Sequence, residues 1–132
     1  SIRIGSNMGT QKGWKWDAPN RNVELYNNIF KDSPLAYEFI NEPENFVSDY
    51  NIFDNISSPP EEKNSKYSDP CFISAKDINF NLAKNSPALG AGLSIPIKYL
   101  GFDNTEKSII PIDWNGKERN SIWDIGVCQM SD

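Results

Sequence analysis

The chain contains no histidine and only two cysteines, which closes two wide classes of chemistry. No Ser-His-Asp or Cys-His nucleophile can be assembled, and no zinc site that needs His or four Cys. Positive charge is also scarce: 13 Lys and Arg stand against 18 Asp and Glu, for a net charge of −5 and an isoelectric point near 4.7. Nucleic acid is therefore disfavoured as a partner, because phosphate binding needs a concentrated basic face. Long apolar runs are missing, and none approaches the roughly 18 residues of a membrane-spanning helix. No charged-then-apolar leader is visible either, so a soluble chain without a membrane span is expected. Helical periodicity is absent as well, since no stretch of about a dozen residues keeps a 3.6-residue repeat.

What remains is 132 residues with 38% hydrophobic content, enough for one domain with a thin core. The chain starts at Ser1 in strand-like SIRIG without an initiator Met, so a mature form or an excised portion of a larger protein is expected. Cys71 and Cys128 can pair, which would suit an oxidising compartment, or stay buried as free thiols. The single sequon at Asn55 is expected by chance in a chain so rich in Asn.

Sixteen Asn, fourteen Ser, eight Gly and nine Pro make up over a third of the residues, and these types punctuate a chain rather than propagate helices. Short β-rich runs lie between the turn clusters, at 23–30, 37–40, 46–53, 71–74, 109–112 and 122–127, and the spacing predicts an all-β fold. Residues 57–70 carry paired prolines and several charges, which preclude a strand interior, so they read as a loop excursion from the body. The sequence LYNNIF ending at Phe30 is echoed by DYNIF ending at Phe53, with Asn28 and Asn51 in matching places. A chain returning to one lateral position after two short strands predicts a coiled β solenoid, with Asn28 stacked on Asn51. Their amides would bond each other and neighbouring backbone.

The second half reads differently. Ile78, Phe80 and Leu82 alternate as on a half-buried strand, and Ser86 is placed to cap one helical turn that starts at Pro87 and stops at Gly90 and Gly92. Arg119 lies between Asp113 and Asp124 and is placed to bridge them. Asp113-Trp114-Asn115-Gly116 begins like a calcium loop, but the later ligands of such a loop are missing, so no metal is expected there.

At Asn79-Phe80-Asn81-Leu82, at the segment from Ser86 to Gly92, at the segment from Asp113 to Arg119 and at Asp124-Ile125-Gly126-Val127, the chain resembles the C-terminal end of right-handed parallel β-helix proteins of the pectate-lyase-like superfamily. Asn79 stands where the family has an acid, and Val127 where it has Ala. The resemblance implies a right-handed parallel β-helix: terminal coils over 1–56, the excursion at 57–70, and a last coil with a C-terminal cap over 71–132. It makes Asp113, Arg119 and Asp124 structural cap residues. It also implies a secreted, periplasmic or cell-surface protein that degrades or binds polysaccharide, with an upstream part of the same β-helix as a further partner. Calcium would enter only through the parent family, and no cofactor is identified in this segment.

Three functions follow from that resemblance and from the residues. The first is a segment that ends the solenoid and holds a polysaccharide or oligosaccharide on Trp14 and Trp16. These two are spaced to project from one face of a strand, as flat apolar platforms with N–H donors. The second is a structural or adhesin-like β-helix module with no sugar chemistry. The third is a polysaccharide lyase using Lys12, Lys15 or Arg21 as base. Catalysis by this segment alone is not expected, because charged side chains on strands usually form a solvated face.

Overall fold

Left-handed residues punctuate the first half at a fixed interval. Asn22 and Asn45 (φ 54° and 57°), Asn27 and Tyr50 (59° and 56°), and Asp32 and Asn55 (52° and 51°) form three such pairs. Asn and Asp tolerate this region because their short polar side chains bond locally. Tyr50 is held there by its own N–H, which donates to Asp49 Oδ1 at 2.9 Å. The computed structural model describes residues 2–4, 10–11, 14–15, 20–95, 97–100, 106–109, 111–119 and 121–130. They include the strands β1 (Ile2–Ile4), β2 (Thr10–Gln11), β3 (Trp14–Lys15), β4 (Glu24–Tyr26), β5 (Ile29–Ser33) and β6 (Tyr37–Phe39). The remainder are β7 (Val47–Asp49), β8 (Ile52–Ile56), β9 (Phe72–Ser74), β10 (Asn79–Leu82), β11 (Ile97–Leu100) and β12 (Glu106–Ile109). One 3-10 helix, Ala75–Asp77, links β9 to β10. Among the described residues no helix is long and apolar enough to cross a membrane.

The expected right-handed parallel β-helix is corrected by the topology. The described strands pair two by two in six two-stranded sheets, and no sheet extends to a third strand or closes. Three pairs are parallel (β1 with β6, β4 with β7, β5 with β8) and three are antiparallel (β2 with β3, β9 with β10, β11 with β12). The echo in the sequence is nevertheless a true register: Ile29 faces Ile52, Phe30 faces Phe53 and Ser33 faces Ile56 across β5 and β8. Parallel stacking ends there for a physical reason. Residues 57–70 contribute a single bridge, Ile52 to Lys66, in place of another strand, and β9 and β10 then fold on each other as an antiparallel pair.

Two further expectations need revision. The runs at 23–30 and 46–53 are each broken by a left-handed residue, Asn27 or Tyr50, and the run at 122–127 forms no strand beyond the bridge of Trp123 to Gly92. The segment at 86–90 is a series of turns rather than a helix. Its anchor is Ser86, whose Oγ donates to the Pro70 carbonyl at 2.6 Å and accepts the Ala88 N–H at 3.1 Å. Gly90 is left-handed (φ 62°), as the stop requires, but Gly92 is not. Its role is close approach, since a Cβ there would meet Asn27 Oδ1 and the Trp123 carbonyl at 3.0 Å.

Among the described residues the core is in two parts. Ile52, Leu82, Ala88 and Ile125 form one buried cluster, which joins the parallel pair to the C-terminal half. Phe30, Ala36 and Phe53 form the other, with Phe30 and Phe53 stacked at 5.3 Å and 7°. The prolines do keep 57–70 free of strands, yet the segment is docked rather than looped away. Lys66 N–H donates to the Asn51 carbonyl at 2.8 Å, the Tyr67 ring stacks on Phe53 at 5.6 Å, and Pro70 is fully buried.

Candidate functional site

Asn28 and Asn51 meet across the parallel pair, because the 23-residue register places one over the other. Asn51 is fully buried and its Oδ1 accepts both the Asn28 N–H (2.8 Å) and Asn28 Nδ2 (3.1 Å). Its own Nδ2 donates to the Leu25 carbonyl, to Ser48 Oγ and to Glu62 Oε2 at 3.0–3.1 Å. Both hydrogens and the oxygen of the amide are engaged, so Asn51 is a structural hub rather than a ligand-binding group.

The charged trio of the second half is arranged around backbone. Asp113 Oδ1 accepts the N–H groups of Asn115 and Lys117, and Oδ2 that of Gln129, each at 2.8 Å. Asp124 accepts the N–H groups of Gly90 and Met130 at 2.7 Å. Arg119 directs its guanidinium to the carbonyls of Asp124 (3.0 Å) and Gly126 (2.6 Å) and lies over the Trp123 ring, in place of the carboxylate bridge expected. Burial acts to raise the Asp113 carboxyl, but the three N–H donors and the charge of Arg119 outweigh it and hold it below the usual carboxylate value. Asp49 behaves alike: burial opposes ionisation, while Asn64, Tyr50 N–H and Lys63 favour it and prevail. Neither acid is suited to give up a proton near neutral pH.

Of the lyase candidates, Arg21 is ion-paired through Nε to Glu44 at 2.9 Å on an exposed bridge. Lys15 lies in β3 opposite Thr10, and Trp14 lies opposite Gln11. Lys12 and Trp16 lie outside the described residues. Cys71 and Cys128 are free thiols. Burial, and then the Asp113 carboxylate, push the Cys128 thiol above its usual value, so it is not an activated nucleophile. Among the described residues no group of three or more His, Cys, Asp or Glu is placed to hold a metal ion.

A site that sequence reasoning missed lies where β10 meets the turn at 113–117. A groove of about 490 Å³ is lined there by Asn81, Lys84, Asn115, Lys117 and Gln129, with Ile73 at its side. Its amides are linked: Asn115 Nδ2 donates to Asn81 Oδ1 at 3.0 Å, and Asn81 Nδ2 to Asn79 Oδ1 at 2.8 Å. An amide has two hydrogens and two lone pairs, so these bonds fix its orientation and use only part of its capacity. Trp114, immediately before Asn115, is 82% exposed, and its backbone N–H donates to the Val127 carbonyl at 2.8 Å. The Asn-Gly turn was visible in the sequence, but nothing local reveals that its tryptophan is displayed. No protein-family model matches the chain, and no curated protein matches it.

Proposed function

We propose that this chain binds a polysaccharide or oligosaccharide as part of a secreted carbohydrate-active protein, and that its own contribution is binding rather than catalysis. One observation carries the reading: Trp114, 82% exposed, directly precedes Asn115 in the chain, and Asn115 lines a groove whose polar side chains are amides and lysines. A displayed indole offers a flat apolar face to a sugar ring, and oriented amides offer paired donors and acceptors to its hydroxyls. Binding is favoured over the lyase alternative because, of the candidate bases, Arg21 is committed to Glu44. Secretion rests on the resemblance set out above.

Affinity electrophoresis in gels containing neutral and acidic polysaccharides tests this reading. Trp114→Ala is expected to weaken retardation about tenfold, the scale of one lost aromatic stack with its apolar burial. Trp14→Ala and Trp16→Ala form the second arm. If they abolish retardation while Trp114→Ala leaves it intact, the ligand sits on the first tryptophan pair instead. If the unaltered protein is retarded by none of the polymers, the saccharide reading is lost.

A further inference from the structure

A second concavity, of about 590 Å³, opens between β5, Phe72, Phe80 and Val127. This size is ordinary for a small-molecule site. Phe72 and Phe80 meet edge to face at 5.4 Å and 75°, making one aromatic wall, and Ile29 and Phe30 contribute further apolar surface. Phe80 is 41% and Val127 52% exposed, so the wall is reachable from solvent. The polar lining is of a different kind from that of the amide groove. Lys31 and Asp32 line the cleft, and the Lys31 ammonium bonds Asp54 while lying 3.7 Å from Asp69 and 4.0 Å from Asp32. Three carboxylates share one ammonium. The cluster as a whole keeps an excess of negative charge, with Asp54 and Asp69 behind the Lys31 ammonium, while Asp32 lines the cleft with a side chain that is 61% exposed.

A neutral apolar molecule would gain only burial in this cleft, and an anion would be repelled by the excess. A cation gains both burial and attraction, and it is also drawn to the faces of aromatic rings. We propose that the cleft binds a small organic cation, an ammonium group on an aryl or short alkyl body, with the body against Phe72 and Phe80 and the charge beside Asp32. The site is separate from the amide groove and does not depend on the saccharide reading.

Titration of the intact protein with benzyltrimethylammonium, followed by amide chemical shifts, tests the proposal, with benzyl alcohol and phenylacetate as neutral and anionic counterparts. The cation is expected to move the resonances of Asp32, Phe80 and Val127 and to bind about tenfold more tightly than phenylacetate at low salt, with the difference shrinking as salt is added. Phe80→Ala should weaken it about tenfold. Asp32→Asn keeps the acceptor oxygen for Asn55 and tolerates the left-handed backbone, and it should weaken the cation several-fold while leaving phenylacetate unweakened. Equal affinity for the anion, shifts centred on Trp114, no binding of the cation, or unchanged affinity in both variants would each overturn the proposal.

Discussion

In residues 20–56 a buried amide, that of Asn51, bonds to its counterpart Asn28, 23 residues away at the matching place just before the partner strand. In residues 111–130 a buried carboxylate, that of Asp113, bonds to three backbone N–H groups in turns of the same segment. The first arrangement needs two strands in correct register and no charge. The second needs no strand, because a carboxylate can gather amides from irregular backbone, but it needs that carboxylate ionised. One half of the molecule is ordered by repetition and the other by electrostatics.

The sharpest way to break the second half is Asp113→Ala, which orphans three N–H groups around a residue that is 6% exposed. Hydrogen bonds to a charged group contribute about 1.5–3 kcal/mol each, and partial relaxation leaves an expected loss of about 4 kcal/mol by denaturant unfolding. Asn51→Ala should break the first half for about 3 kcal/mol, and its double-mutant cycle with Asn28→Ala should show coupling of about 1 kcal/mol. Gly126→Ala tests the contact between the halves. Gly126 has φ 104° and an added Cβ would lie 2.8 Å from Ile29 Cδ1, so a loss of about 2 kcal/mol is expected.

Acid separates the two halves without mutation. The folded Asp113 carboxyl titrates below its ordinary value of 3.8. Its contribution is therefore complete above that value and disappears as pH falls through the depressed folded value. Amide exchange should show Asn115, Lys117 and Gln129 losing protection on acidification while Asn28 and Ile52 keep theirs. Asp49 also titrates low, so the amide of Asn64, which it accepts at 2.8 Å, should follow the first group although it lies beside the parallel pair. The smallest effect expected is that of Arg21→Ala. Its partnership with Glu44 is exposed at both ends, at 63% and 54%, and the melting midpoint should stay within experimental scatter.

What was legible in the sequence was local or repeated. The spacing of Asn28-Ile29-Phe30 and Asn51-Ile52-Phe53 marked a register that the strands adopt. It did not reveal where repetition stops, since two copies of a motif are compatible with two layers or with many. Left-handed Asn27 and Tyr50 were hidden inside runs that read as continuous strands, because an isolated reversal of φ leaves apolar patterning intact. Residues 57–70 were polar enough to read as a solvated excursion. Their docking depends on partners such as Asn51 and Phe53 that only the folded chain brings near. The amide groove was illegible for the same reason, as Asn81 and Asn115 are 34 residues apart.

The docked segment at 57–70 has a further consequence for how the chain reaches this arrangement. Glu62 and Ser65 bond to Asn51, which occupies its buried position only when β8 lies in correct alignment on β5. A slip of one residue would turn Asn51 to the opposite face and leave Glu62 Oε2 with the Ser65 hydroxyl but without the Asn51 amide. The bonds that residues 57–70 make to Asn51 therefore add to the preference for the aligned pair.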